Sequence, residues 1–524
     1  MFWAMAPRGY QSDRRAQRKV RGPPKSRAGP VAGRAPRLST DFVITRGNCS
    51  RSRRSSLRYR TFVKIFFGLV LFGLALSRVL VGAENPSPSP KVSVAPLAFK
   101  HATLENGLQV YTAEDHKSPT VAVQVWYHVG SKDDPNGRSG FAHLFEHMMF
   151  KGNEHLTTDT FDNLTENIGG ENNAYTADDV TVYHEVVPSN YLEPILWAEA
   201  ERMSSLALND KNFSSERDVV KEEYRQRILA NPYGEFYLDI DRKSFAVHPY
   251  KRPGIGNITE LDASKLPEIR AFHSTFYRPD NATLIVVGDF KQEELDAWIK
   301  KYFSAVVKPS EKIPRVTAKE PPRKEDKVET SYSPKAPLPA LAITYLAPSV
   351  RSKDAPALEL AEEILSGGTS SRLYQALVYE QQVAQAVSCS ADLHEDLGLL
   401  VFRAVLASGK SMELARKSLT DQINDVLKNG VTQAELDKAK TRFLTSKLLE
   451  RETANGKASA LGEAVVIYGD PEHVNTDLAK YQTVTTAEIK EVLNRYITGK
   501  KRVVIEHLPE SMKAVSKEKV EKKS

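Results

Sequence analysis

The feature that most restricts the fold of this 524-residue chain is a body that opens and closes twice in the same way. Residues 121–129 (VAVQVWYHV) alternate as a strand does, a polar loop follows over 130–140, and a helix is expected from Phe141. Residues 341–347 (LAITYLA) repeat the pattern, with a polar loop from Pro348 to Asp354 and a helix expected over 355–365. Strand-like runs close both halves, at 281–288 (NATLIVVG) and 501–507 (KRVVIEH). A chain this long exceeds one hydrophobic core. The repeat of mixed strands and helices predicts two α+β domains of one ancestry. Residues 308–330, with four prolines before Lys327 and many charges, are expected to be a linker. The domains then fall at 98–307 and 331–508, with a charged tail over 509–524.

Charge segregates ahead of these domains. The formal net charge is +7, yet residues 1–83 hold 18 of the 73 Lys/Arg and, among the acids, only Asp13 and Asp41. The body is therefore acidic, and the overall positive balance gives no reason to expect a nucleic-acid partner. Within the leader, the apolar run 65–76 (IFFGLVLFGLAL) followed by VGA at 81–83 reads as a signal peptide, and 84–97 as a Pro/Ser-rich linker. Left uncleaved, residues 65–81 would be a membrane anchor; either way the residues after 83 are expected to be exported, to a periplasm. The Arg-rich, acid-poor first 60 residues also suit a mitochondrial transit peptide. A start nearer the apolar run is a third reading, although no Met occurs between Met5 and Met148. Of two cysteines, Cys49 lies in the leader, so the mature chain has no internal disulfide and Cys389 is expected to be a small buried residue, not a nucleophile.

The chemistry concentrates on the helix expected from Phe141. His143 and His147 are four residues apart, so they stand one above the other on one face and can share a zinc ion. Glu146 projects beside them within reach of a water, in the inverted order His-x-x-Glu-His. A catalytic zinc needs a third ligand, and Glu216 and Glu223, seven residues apart and so on one helical face, offer it. Glu223 is taken as the ligand and Glu216 as a carboxylate that orients the site. His155, His184 and His273 are expected to be structural or surface residues. Zinc together with a general base is the equipment of a peptidase that hydrolyses amide bonds with activated water.

Residues 140–152 (GFAHLFEHMMFKG), 169–176 (GGENNAYT), the Glu216/Glu223 pair and 276–283 (FYRPDNAT) resemble the pitrilysin-type inverzincin family. That family includes insulin-degrading enzyme and the mitochondrial processing peptidases, and the resemblance is to its half-size bacterial members. It implies two homologous domains, each a mostly antiparallel sheet covered by helices, forming one half of a clam-shell chamber. It also implies substrates that are peptides or unfolded segments, adding a strand beside Asn173, Ala174 and Tyr175. One position pair departs from the family. Its facing domain supplies an Arg and a Tyr seven residues apart; Val378 and Gln385 stand there in this chain, and Arg372 and Tyr374 are too close together and too early to replace them. The expected partner is therefore a homologous subunit carrying the pair, in a heterodimer, or a second copy of the chain lacking it. One rival expectation is a non-catalytic structural or chaperone-like subunit of a peptidase-related assembly, against which the intact ligand set speaks; another is a mitochondrial presequence-processing subunit, which shares the chemistry and differs in compartment.

Overall fold

The computed structural model describes residues 94–513 apart from 154, 158 and 159; the basic leader, its apolar run at 65–81 and the tail after 513 lie outside the described residues. In the first half, β1 (Lys100–Thr103), β2 (Gln109–Glu114), β3 (Thr120–Tyr127), β4 (Glu171–Thr176), β5 (Thr181–Pro188) and β6 (Ala282–Gly288) form one sheet in the order β1-β2-β6-β3-β5-β4. Its helices are α1 (Phe141–Met148), α2 (Thr160–Glu166), α3 (Leu192–Ser204), α4 (Asp210–Tyr224), α5 (Gly234–Ser244), α6 (Ile258–Ala263), α7 (Leu266–Phe276) and α8 (Gln292–Phe303). The second half forms a sheet in the order β7-β11-β8-β10-β9 from β7 (Lys327–Ser333), β8 (Ala340–Ala347), β9 (Ala384–Leu393), β10 (Gly398–Leu406) and β11 (Val503–Pro509). With it go α9 (Ala355–Ser366), α10 (Met412–Asn429), α11 (Gln433–Glu450), α12 (Ala454–Gly462), α13 (His473–Thr483) and α14 (Thr486–Ile497).

The two sheets share one topology. Each has a single parallel pair, β2 with β6 and β7 with β11, and is otherwise antiparallel. The repeat legible in the sequence is thus a repeat of fold, with β3–loop–α1 matching β8–loop–α9. The linker is shorter than expected. Residues 327–333 pair with β11 as an edge strand, because a Lys- and Ser-rich alternation can sit half-exposed at a sheet edge.

Each sheet buries both faces, and the halves exchange the cover. The inner face of the first sheet packs on its own helices through Val121, Val123, Val125, Phe141, Phe145 and Leu284. Its back face, with Ala122, Trp126, Ile285 and Val287, is covered by Ala458, Leu461 and Ala464, which come from the second half. Conversely, Phe236 and Ile240 of α5, from the first half, cover Ala342, Val401 and Ile505 on the back of the second sheet. Gly462 ends α12 against Trp126, where a Cβ would fall 2.2 Å from the indole ring, so the helix can approach only with glycine there. Gln124 fixes the same contact, donating to Asn455 Oδ1 at 2.7 Å and to Ser459 Oγ at 3.0 Å. Among the described residues no helix is long and apolar enough to cross a membrane.

Candidate metal centre

The eight-residue α1 is short, and its start is built by its surroundings. Gly140 precedes it at φ 93°, and a Cβ there would fall 2.9 Å from the Gly256 backbone, so two loops cross in contact. Asp134 replaces the missing cap: its carboxylate accepts from Gly140 N at 2.6 Å and Ala142 N at 2.9 Å. Burial pushes Asp134 up to about 7 in spite of those bonds. Phe141, Leu144, Phe145 and Met148 bury the opposite side of the helix completely, which leaves His143, Glu146 and His147 turned toward α4 and β4.

Helix α4 brings the acids. Its N-cap Asn209 accepts from Asn212 N, and Glu216 and Glu223 face α1 two turns apart, as their spacing predicts. Glu223 Oε2 lies 3.7 Å from His143 Nε2 and 3.3 Å from His147 Nε2, and the two imidazoles stand 4.9 Å apart at 87°. One ligand atom from each of His143, His147 and Glu223 falls within 4.8 Å of the others, and no other such group of His, Cys, Asp and Glu occurs among the described residues. His147 Nε2 is fully buried, and despite facing Glu223 it forms no hydrogen bond of good geometry. Two imidazole nitrogens and a carboxylate oxygen converging in this way fit a tetrahedral metal with one position left open.

Burial holds His143 below its ordinary value, against the pull of Glu223 and Glu146. Burial also opposes charge on His147, but the Glu216 and Glu223 carboxylates outweigh it and lift that group to about 9. Glu223, resisting burial through His143, His147 and Arg227, is held down at about 2. Burial likewise works against charge on Glu216, but His147 and Lys151 keep it below its usual range, with Lys151 Nζ at 2.9 Å.

All five residues picked out from the sequence as ligands, base and orienting acid come together. Glu146 is buried beside them and accepts from Thr176 Oγ1 at 2.8 Å. Asn173, Ala174 and Tyr175 all lie on β4. β4 is the outer edge of its sheet, against α1, but only Ala174 turns inward, while Tyr175 packs edge-to-face on Trp126 on the other side. Asn173 Oδ1 takes the Ala174 N–H at 2.8 Å. In the second half Val378 is half-buried and Gln385 exposed at the start of β9, and Arg372 is engaged by Glu435 at 2.5 Å and 2.7 Å. Asp134, Lys151, Thr176 and Arg227 were not singled out by sequence; Arg227 sits in a wide π turn after α4 and forms an ion pair with Glu223. Lys151 and Arg227 left a local trace, each four residues after a ligand candidate, and Lys151 and Thr176 fall within the motifs at 140–152 and 169–176. His155 is exposed and paired to Glu201, while burial lowers His184 and His273 to about 4, as structural residues.

Comparison with known proteins gives the same outline. Residues 109–232 match the family profile described as insulinase (peptidase family M16), and 265–443 match the one described as peptidase M16 inactive domain. A zinc protease of Helicobacter pylori, PqqE, is 31% identical over 397 residues, covering 75% of this chain and 89% of that protein. The crystal structure of a Helicobacter pylori protease superposes with a TM-score of 0.75 at 28% identity, over 79% of this chain and 100% of the other. The periplasmic protease PqqL of Escherichia coli shares the fold at a TM-score of 0.64 and 20% identity, with this chain spanning 48% of its length.

Proposed function

The chain belongs to the M16 family of peptidases, and from that premise we propose that it is a zinc-dependent endopeptidase acting on peptides or unfolded segments. The observation that carries this reading is the convergence of His143, His147 and Glu223 with a buried, oriented Glu146 at their side. Zinc held by those three would polarise a scissile carbonyl and make water nucleophilic near neutral pH. Glu146 takes the proton of the attacking water and returns it to the leaving amine. Lys151 and Arg227 hold the Glu216 and Glu223 carboxylates in place. An extended peptide would lie along the free edge of β4, its carbonyl replacing the Asn173 amide on the Ala174 N–H.

Two further parts of the reading concern context. Val378 and Gln385 cannot offer a guanidinium or phenol to a developing oxyanion, which favours a working unit completed by a homologous half that carries the Arg–Tyr pair. The leader composition favours export across a cytoplasmic membrane, with a mature terminus near Glu84 that N-terminal sequencing of native protein would locate. The decisive test is chemical. Glu146→Gln should keep one zinc per chain and lose peptide cleavage by about 10²–10⁴-fold. A Gln variant that cleaves at the parent rate would remove Glu146 from the mechanism. Full activity of the chain alone, unchanged by a homologous partner, would remove the second half-enzyme.

A further inference from the structure

Three carboxylates meet at the metal centre, and the structure holds them by two different means. Glu223 is paired with the Arg227 guanidinium and Glu216 with the Lys151 ammonium at 2.9 Å. Glu146 is instead held by a neutral hydroxyl, Thr176 Oγ1 at 2.8 Å, with both side chains buried. Glu223 and Glu216 are thus fixed by ion pairs, whereas the orientation of Glu146 depends on a single neutral hydrogen bond.

The position of Thr176 is itself over-determined. It is the last residue of β4, paired with Thr181 across the hairpin, and it points inward two residues after Ala174, which lies beneath α1. The turn that follows is pinned to the loop leading into α1. Ser131 N donates to Ala177 O and Lys132 N to Asp178 O, both at 3.1 Å, and Lys132 Nζ meets Asp179 Oδ1 at 2.8 Å. Lys132 also reaches Glu395 of the second half at 2.7 Å, so both halves hold this corner. One strand thus presents an open edge on its outer side and, through its last side chain, fixes the base on its inner side.

We propose that Thr176 is a positioning residue for catalysis: its hydroxyl sets the carboxylate of Glu146 relative to a peptide lying on β4. The inference rests on the peptidase reading above and adds to it a residue that touches neither substrate nor metal. Thr176→Val keeps the shape and removes the donor, leaving a buried carboxylate oxygen to reorient. Thr176→Ser restores the donor with less bulk.

The test uses the zinc-loaded chain in whichever form, alone or with a homologous half, cleaves fastest. For Thr176→Val, kcat is expected to fall about 10- to 100-fold, with KM, zinc stoichiometry and affinity for an uncleavable reduced-amide peptide unchanged. Thr176→Ser is expected to recover most of kcat. An unchanged kcat in Thr176→Val overturns the inference, and so does a loss carried by KM or by released zinc. Failure of Ser to rescue does the same, since it assigns Thr176 to packing. A parent chain that holds zinc and binds the peptide yet cleaves nothing overturns the peptidase reading along with the inference, an outcome distinct from the others.

Discussion

Helices α1 and α9 occupy the same place in their two halves, each following the strand–loop of the repeat and each packed against a later helix, α4 or α11. What they carry is opposite. On α1, two imidazoles face a carboxylate of α4, with Glu223 Oε2 3.7 Å from His143 Nε2 and 3.3 Å from His147 Nε2. On α9, Glu359 accepts a hydrogen bond from Tyr481 of α13, and Glu363 pairs with Arg442 of α11. In the second half these acids are met by a hydroxyl and a guanidinium, whereas in the first three potential ligand atoms converge on one point. Fold is shared between the halves; what differs is which side chains the equivalent helices bring together.

The sharpest way to break this comparison is to give α1 the chemistry of α9. His147→Glu should abolish zinc binding and lower cleavage by roughly 10³-fold or more, with the far-UV spectrum of the metal-free parent retained. Zinc retained at one equivalent would mean that the ligand set has been misassigned. A second test asks whether the halves are energetically separable. Phe236→Ala on α5 and Gly462→Val on α12 each disturb the cover that one half lends the other, and each should cost about 3–4 kcal/mol. Because the cover is reciprocal, both variants should unfold in one transition by calorimetry; two transitions, with only one displaced, would show the halves to be independent.

Glu359 offers a smaller effect with a defined pH dependence. Burial raises its carboxyl to about 7, although the Tyr481 hydroxyl and Lys447 pull the other way. The group therefore holds a proton in the folded state over a range where the unfolded chain has lost it. Its contribution to stability is complete below about pH 4.5 and is lost as the pH rises through 7. Glu359→Gln keeps the acceptor and cannot ionise. It should match the parent at pH 4.5 and exceed it by about 1–3 kcal/mol at pH 8 in denaturant unfolding. A gap that is constant across that range would show that Glu359 ionises normally.

Much of this was legible in the sequence because it was local. The helical spacing of His143, Glu146 and His147, and of Glu216 and Glu223, fixes which side chains share a face, and that alone predicts the ligand set. Strands β3, β6, β8 and β11 are apolar runs with clear ends. Of the strands not foreseen from periodicity, β1 and β7 are short or half-exposed edge strands, while β2 is an interior strand whose Gln109, Thr112 and Glu114 break its apolar run. The exchange of α5 and α12 left no trace, since α12 (ANGKASALG) lacks an amphipathic stripe and is chosen for small residues that meet a sheet closely. Thr176 lay within the quoted strand motif, but its role depends on a contact with a residue thirty positions earlier in the chain.

The smallest expected effect compares the approaches to the two edge strands, β4 and β9. Two residues before β4 the chain turns through Gly169 at φ 79°, and two residues before β9 it turns through Gln382 at φ 49°. Gln382 is the one non-glycine residue with positive φ among those described. The same turn is therefore made with the permissive residue in the first half and with a strained one in the second. A left-handed conformation costs a residue with a Cβ about 1–2 kcal/mol, and glycine gives back part of the gain through its freer unfolded state. Gln382→Gly should thus stabilise the chain by about 0.5–1 kcal/mol, read as a rise in Tm of a degree or two. The exposed Gln382 lies between Val378 and Gln385, the positions where the family's Arg and Tyr would stand. If the variant gains stability and keeps its cleavage rate with a homologous half, the strain is a relic of the turn. If it gains stability and loses partner-dependent cleavage, the strained turn shapes the surface that meets the other half. No gain in Tm would show that the Gln382 side chain makes up for its own strain, and the two turns would then be equivalent in energy though not in sequence.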